Sequence, residues 1–321
     1  MAARSRHAWL AAAALCGAVC TGMSKGALAQ PAAFSFGSIA HTGAHSADDA
    51  ALREAIDATD ADSLAFVVVN GIKAASEPCT DPVYLRRKAL FGSAKNGLLV
   101  SVASSDWSEC TRGDGRSVAV ERLNRVRDLF FADDFSFGAS RLPVTRQATM
   151  PKYRAYAENM RWDIGNIVFA TVHLPANNND FVPAAGRNAE FEDRMIADRD
   201  WLHRVFRIAL QKQAAGIVLF CDGNPLTLPD VSSRPGIGPA RDGFAEIRKQ
   251  ILALSARYSG RILIVLNGAP ATTPVAGLIT WQGNVGITGA SAGWLKLTVD
   301  AATPALFSVS RPPTGLKTAG Q

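Results

Sequence analysis

Residues 289–293 read Gly-Ala-Ser-Ala-Gly, a match to the Gly-x-Ser-x-Gly turn that presents a nucleophilic serine, here Ser291. That chemistry needs a strand before the serine, a helix after it and a histidine base further along. The last histidine is His203 and no helical pattern follows Ser291, so the string reads as a flexible loop. Imidazole ligation of a metal is the next chemistry to weigh. His41 and His45 are four apart, but the glycine between them breaks a helix, and that spacing aligns two ligands only on a helix. His203 lies in a polar helical stretch and reads as solvated. His173 ends an apolar run and precedes the polar loop 175–180, Pro-Ala-Asn-Asn-Asn-Asp. A similar break occurs at residues 101–110, SVASSDWSEC, where an apolar run stops at Ser104 and Ser105 before Asp106, Trp107 and Cys110. Asp222 follows a third apolar run, GIVLFC. Two-metal phosphate chemistry gathers several carboxylates and imidazoles around a bridging group. Only His173, Asp106 and Asp222 qualify at these strand ends, and no acidic residue precedes Asp48, so composition alone argues against such a centre.

The elements that position these residues follow from periodicity. Residues 64–70, 97–103, 216–221 and 261–267 are continuous apolar, β-branched runs, the mark of strands buried on both faces. A short strand is expected at residues 32–40. Helices are expected after Ser46 as N-cap with Asp49 three residues on, and after Asp81 as cap with Pro82 in the first turn. Residues 117–131 predict an amphipathic helix with Val120, Leu123, Val126 and Phe130 on one side. A hairpin turning near Gly165 and Asn166 is expected next, then a long helix over 187–213, a helix over 240–259, and short terminal strands in GLITWQG, GWLKLTV and ALFSVS. The pattern is an α/β fold, a sandwich with either one mixed sheet or a pair of sheets. Ligands in such folds sit outside the carboxyl ends of strands.

Residues 1–29 read as a secretory signal: Arg4 and Arg6, an apolar core, then Ala-Leu-Ala before the expected cleavage after Ala29. One domain is expected over 30–310, with a frayed, disordered tail over 311–321. No later apolar run is long enough to span a bilayer. Without the signal, 31 basic residues face 28 acidic ones, and no basic run interleaves with aromatics, which excludes a nucleic-acid binder. Of the three cysteines beyond the signal, Cys79 and Cys110 each follow the end of an apolar run and are expected to meet at one rim as a disulfide; Cys221 reads as a buried thiol.

Several strings, taken in order, resemble the calcineurin-like metallophosphoesterases of a secreted bacterial branch: VVVNGIKAASEPCTDPVYLRRKALF, ASSDWSEC, VERLNRVRDLFF, ENMRW, FATVHLPANNN and GWLKLTVD. The likeness covers most of residues 34–300. It implies a four-layer α-β-β-α sandwich, with metals carried on strand-end loops in the active members. Carried over position by position, the ligands are mostly gone. The first-loop aspartate falls near Ser38 or Ile39, the bridging aspartate of the second loop on Gly71, and the third-loop asparagine on Ser105, beside a retained Asp106 and Trp107. The strand-end histidine is kept as His173; the last loop reads Gly268-Ala269-Pro270-Ala271. One imidazole cannot hold a divalent ion that needs three or four protein ligands. The resemblance therefore implies a secreted, periplasmic pseudo-phosphoesterase without a metal cofactor, with His173 and Asp106 as catalytic remnants. Its role would be to bind an unnamed ligand or protein partner in a groove of Ser105, Asp106, Trp107, His173, Asn177, Asn178 and Asp222. The alternative is an active phosphatase or phosphodiesterase using Mn, Fe or Zn, with His41 or His45 joining His173 and Asp222.

Overall fold

The continuous β-branched runs become the centres of two mixed sheets. The computed structural model describes residues 33–41, 49–182, 188–228, 241–268, 278–290 and 293–310. The expected signal, the Ser46 cap, His45, most of the 268–271 loop, Ser291 and the expected tail lie outside these residues. The first sheet contains β1 (Phe34–Ala40), β2 (Val67–Asn70), β3 (Leu98–Ser101), β11 (Gly293–Val299) and β12 (Phe307–Ser310), in the order β12-β11-β1-β2-β3. β1, β2 and β3 run parallel, and β11 and β12 close one side antiparallel. The second sheet contains β4 (Thr145–Arg146), β5 (Met160–Ile164), β6 (Ile167–Thr171), β7 (Gly216–Cys221), β8 (Arg261–Leu266), β9 (Thr280–Gln282) and β10 (Val285–Gly289), in the order β4-β5-β6-β7-β8-β10-β9. Its centre, β6-β7-β8-β10, is parallel. Every residue of β2, β3, β6 and β7 is buried, as parallel strands covered on both faces require.

Five α-helices accompany the sheets among the described residues: α1 (Asp49–Asp60), α2 (Asp81–Gly92), α3 (Ala119–Phe130), α4 (Ala189–Gln211) and α5 (Ala245–Ser255). The period of two along β6 and β7 sends Phe169, Val218 and Phe220 to one face and Val168, Ala170, Ile217 and Leu219 to the other. The first set meets Phe36 and Phe66 of the other sheet in an aromatic cluster, with Phe66 stacked on Phe36 at 5.0 Å and edge-on to Phe169 at 4.9 Å. The second set packs on Leu202, Val205 and Phe206 of α4 and Ile247 and Ile251 of α5. Leu52 and Ile56 of α1, Leu90 and Phe91 of α2, and Leu123, Val126 and Phe130 of α3 join the core of the first sheet.

Three local expectations change. Val120, in the first turn of α3, stands exposed rather than beside the buried Leu123, Val126 and Phe130. Thr80, not Asp81, occupies the cap of α2; Asp81 lies in the first turn and binds Arg122 and Arg125 of α3 instead. β4 and β10 escape the sequence pattern. β4 is two residues long, and β10 carries Gly286 where a Cβ would come within 2.8 Å of the Trp281 ring. The Cys79–Cys110 disulfide is present, Cys221 is a buried thiol, and no described helix is long and apolar enough to cross a membrane.

Candidate functional site

The strand ends after β2, β3, β6, β7 and β8 come together, and the carboxylates and imidazoles there are bound to the protein's own groups. Asp106 is fully buried in the 3-10 turn that follows β3. One carboxylate oxygen accepts the backbone N–H groups of Ile72 and Lys73, at 2.8 and 3.0 Å; the other accepts that of Ala103 at 2.8 Å. The side chain is thus a clasp between the loop after β2 and the loop after β3. Tyr84 of α2 adds a third attachment by donating its hydroxyl to the Asp106 carbonyl at 2.7 Å. The disulfide closes the same two loops a few residues further on. Burial pushes the Asp106 carboxyl up to about 6, against the three N–H donors, which favour its charged form.

His173, just beyond β6, is equally committed. Its Nδ1 faces Glu158 Oε1 at 2.9 Å, and its Nε2 accepts the indole N–H of Trp107 at 3.0 Å. The carboxylate fixes the proton on Nδ1, and the indole donor needs the lone pair of Nε2, so the ring is the neutral Nδ1–H tautomer. Burial also lowers its pKa. Glu158 in turn is gripped by Arg127 of α3 at 2.5 and 2.9 Å, which holds its carboxyl far below the usual range despite full burial. Behind the histidine, Asn159 accepts the His173 backbone N–H and donates its amide to Asp198 and Gln147. Asp198 is buried on α4, and burial pushes its carboxyl up to about 8.

Asp222, at the end of β7, ties three loops. One oxygen accepts the backbone N–H groups of Ser104 and Ala176, at 2.7 and 2.8 Å, and the other accepts the Asn267 amide at 3.0 Å. Asn70 of β2 donates to Ser38 Oγ of β1 at 2.8 Å, beside Gly71, whose φ of +89° suits glycine. Ser105 is half-buried on the Asp106 turn, while Asn177 and Asn178 lie exposed on the loop after β6. Asn177 reaches Ser108 at 3.1 Å, so that loop touches the Asp106–Trp107 turn. Asn178, Asn179 and Asp180 all have positive φ, an unusual run for non-glycine residues. Arg194, fully buried on α4, holds this turn by donating to the side chain and carbonyl of Asn179, and its guanidinium lies 5.9 Å from the Trp107 ring.

His41 lies elsewhere in the network. Its Nε2 accepts from Arg87 of α2 at 3.2 Å, and Arg87 is held by Glu77 and Asp49. Burial first, and the neighbouring guanidinium second, lower its pKa to about 4.

These residues do not fit a two-metal centre. A metal ligand needs a lone pair directed at the ion. Trp107 uses that of His173, and Asp106 is fully buried with three of its roughly four acceptor sites taken by backbone amides. Among the described residues no group of three or more histidine, cysteine, aspartate and glutamate side chains gathers as a metal site. What the arrangement does chemically is to cross-brace loops. Glu158, Arg127, Asn159, Asp198 and Arg194 are not among the site residues the sequence suggests; the first three occur there only inside the strings ENMRW and VERLNRVRDLFF, and nothing local marks their role. Glu158 is separated from His173 by the whole β5–β6 hairpin, and Arg194 lies in a helix that reads simply as polar. Compared with known proteins, the chain matches no family model and no curated protein.

Proposed function

We propose that this chain is a non-catalytic protein built on the calcineurin-like metallophosphoesterase fold, a four-layer α-β-β-α sandwich, and that it works as a secreted, periplasmic binding module. The ordered strings that resemble that family motivate the family and the layering. Two face-to-face mixed sheets, one of them covered by α4 and α5, support it. A disulfide is compatible with an oxidising compartment. The observation that carries the loss of catalysis is the state of His173, the one imidazole kept from the family pattern: both ring nitrogens are bound by Glu158 and Trp107. Without a ligand set there is no metal-activated water and no clamp for phosphoryl oxygens.

The test is to equilibrate the purified protein with manganese, iron or zinc, remove free ions, and measure bound metal together with turnover of an aryl phosphate and a diaryl phosphodiester. Substoichiometric metal and no turnover above buffer are expected. Two tightly held ions per chain, with turnover abolished by His173→Ala, would overturn the reading.

A further inference from the structure

A groove of about 470 Å³ opens beside the disulfide, between the loop after Cys110, the first turn of α3 and the Asn178–Asp180 turn. Its size falls within the range of small-molecule sites, roughly 300–1,000 Å³. Val118, Val120 and Val182 line it, with Trp107 at its back. Val120 is the side chain that α3 turns away from the core, and it stands 51 % exposed on the groove wall.

Most charges around the groove are paired. Glu121 is shared by Arg112 at 2.9 Å and Arg122 at 2.7 Å, and Arg116 faces Asp114 at 3.6 Å. Arg194, beneath the floor, is chelated by Glu190 and Asn179. Asp180 lines the groove yet forms no ion pair among the described residues; its one side-chain hydrogen bond there is from the Asn177 amide, at 3.2 Å. Partial burial pushes the Asp180 carboxyl up to about 6 although Arg194 opposes the shift, and Glu109 adds negative potential nearby. The turn that displays Asp180 is also costly. Three successive non-glycine residues sit at φ of 54°, 57° and 51°, and such strain persists only where the surroundings enforce it. Arg194 holds the turn from below and the Gly243 N–H holds Asn178 Oδ1 at 2.9 Å.

We infer that this groove binds an organic cation, an ammonium or guanidinium on a short apolar stem, with the charge beside Asp180 and the stem along Val120 and Val182. The inference gives a ligand class to the binding role proposed above, and rests on that reading. A lysine or arginine side chain of a peptide and a free polyamine share this chemistry.

The experiment titrates the purified protein at pH 7.5 with Nα-acetyl-lysine methylamide, Nα-acetyl-arginine methylamide and spermidine, against the uncharged norleucine analogue, by calorimetry and amide NMR. At least one cationic probe should bind roughly tenfold tighter than norleucine and move the amides of residues 118–121 and 178–180. The first two probes winning over spermidine would assign a peptide side chain; the reverse would assign a polyamine. Asp180→Asn keeps a residue that tolerates positive φ and should weaken binding about fivefold or more; Val120→Ser, at an exposed position, should weaken it about threefold. Asp57→Asn, at an exposed position on α1, should leave binding unchanged. Norleucine binding as well as the cations, undiminished affinity in both groove variants, or no cationic probe binding below about 10 mM would overturn the inference. Manganese-dependent aryl-phosphate turnover, measured on the same samples, reports separately: its appearance sinks the non-catalytic reading, while its absence together with silent titrations sinks the groove alone.

Discussion

Removing the Asp106 carboxylate should be among the most damaging single changes in the protein, although the residue occupies a place where a catalytic role is easily imagined. Its two oxygens receive three buried backbone donors, those of Ile72, Lys73 and Ala103. Each buried donor left without an acceptor costs about 1–3 kcal/mol. In Asp106→Asn the amide oxygen can still take two of the three, while the new NH2 group confronts the third N–H. The expected loss is about 2–3 kcal/mol. In Asp106→Ala all three donors lose their partner, and the expected loss rises to about 4 kcal/mol after partial relaxation. Urea unfolding followed by tryptophan fluorescence gives the global number. Amide exchange at residues 72, 73 and 103 gives the local one, and protection there should drop by more than in the β7–β8 core. A loss under about 1 kcal/mol in the alanine variant, or unchanged exchange at those three amides, would refute the clasp.

Other outcomes follow from the same network. His41 has a folded pKa of about 4 against an ordinary 6.5, so the folded chain binds fewer protons between those values. Stability should therefore fall as pH drops through that window, by roughly 3 kcal/mol relative to His41→Gln, which keeps an acceptor for Arg87 but does not titrate; parallel curves for the two proteins across pH 4–7 would refute this. Replacing Cys79 and Cys110 by serine opens a 31-residue separation and should cost about 3–4 kcal/mol in denaturant titrations, with the fold retained. Trp107→Phe leaves the His173 Nε2 lone pair buried without a donor and removes part of a fully buried ring; a loss of about 2–4 kcal/mol is expected, together with a changed His173 ring ¹⁵N spectrum.

Much of the architecture is visible in residue patterns because parallel strands buried on both faces leave an unbroken apolar signature. Val67–Asn70, Leu98–Ser101, Gly216–Cys221 and Arg261–Leu266 all declare themselves this way. Thr145–Arg146 is too short to carry a period, and Val285–Gly289 is broken by Gly286, which makes room for Trp281, and by Gly289, which lies against the backbone of Leu266 and Gly268. The meeting of Cys79 and Cys110 is legible because both follow strand ends on neighbouring strands. The fate of the polar residues is not. Asp106 and His173 look the same in the sequence whether they face a ligand or the protein itself. What decides it is their partners, the backbone amides of Ile72, Lys73 and Ala103 and the side chains of Glu158 and Trp107, four of them brought in across other elements.

Cys221 has a consequence for the chain's biogenesis. The three cysteines among the described residues, Cys79, Cys110 and Cys221, allow three different single bridges, and exchange among them proceeds only through a thiolate. In the finished protein the Cys221 side chain is sealed inside β7, and its acidity is suppressed by that enclosure and by the carboxylate of Asp222 next door. The native bridge is thereby insulated from internal attack as soon as β7 enters its sheet. Among these three thiols, mispairing through Cys221 is thus confined to the interval before that docking.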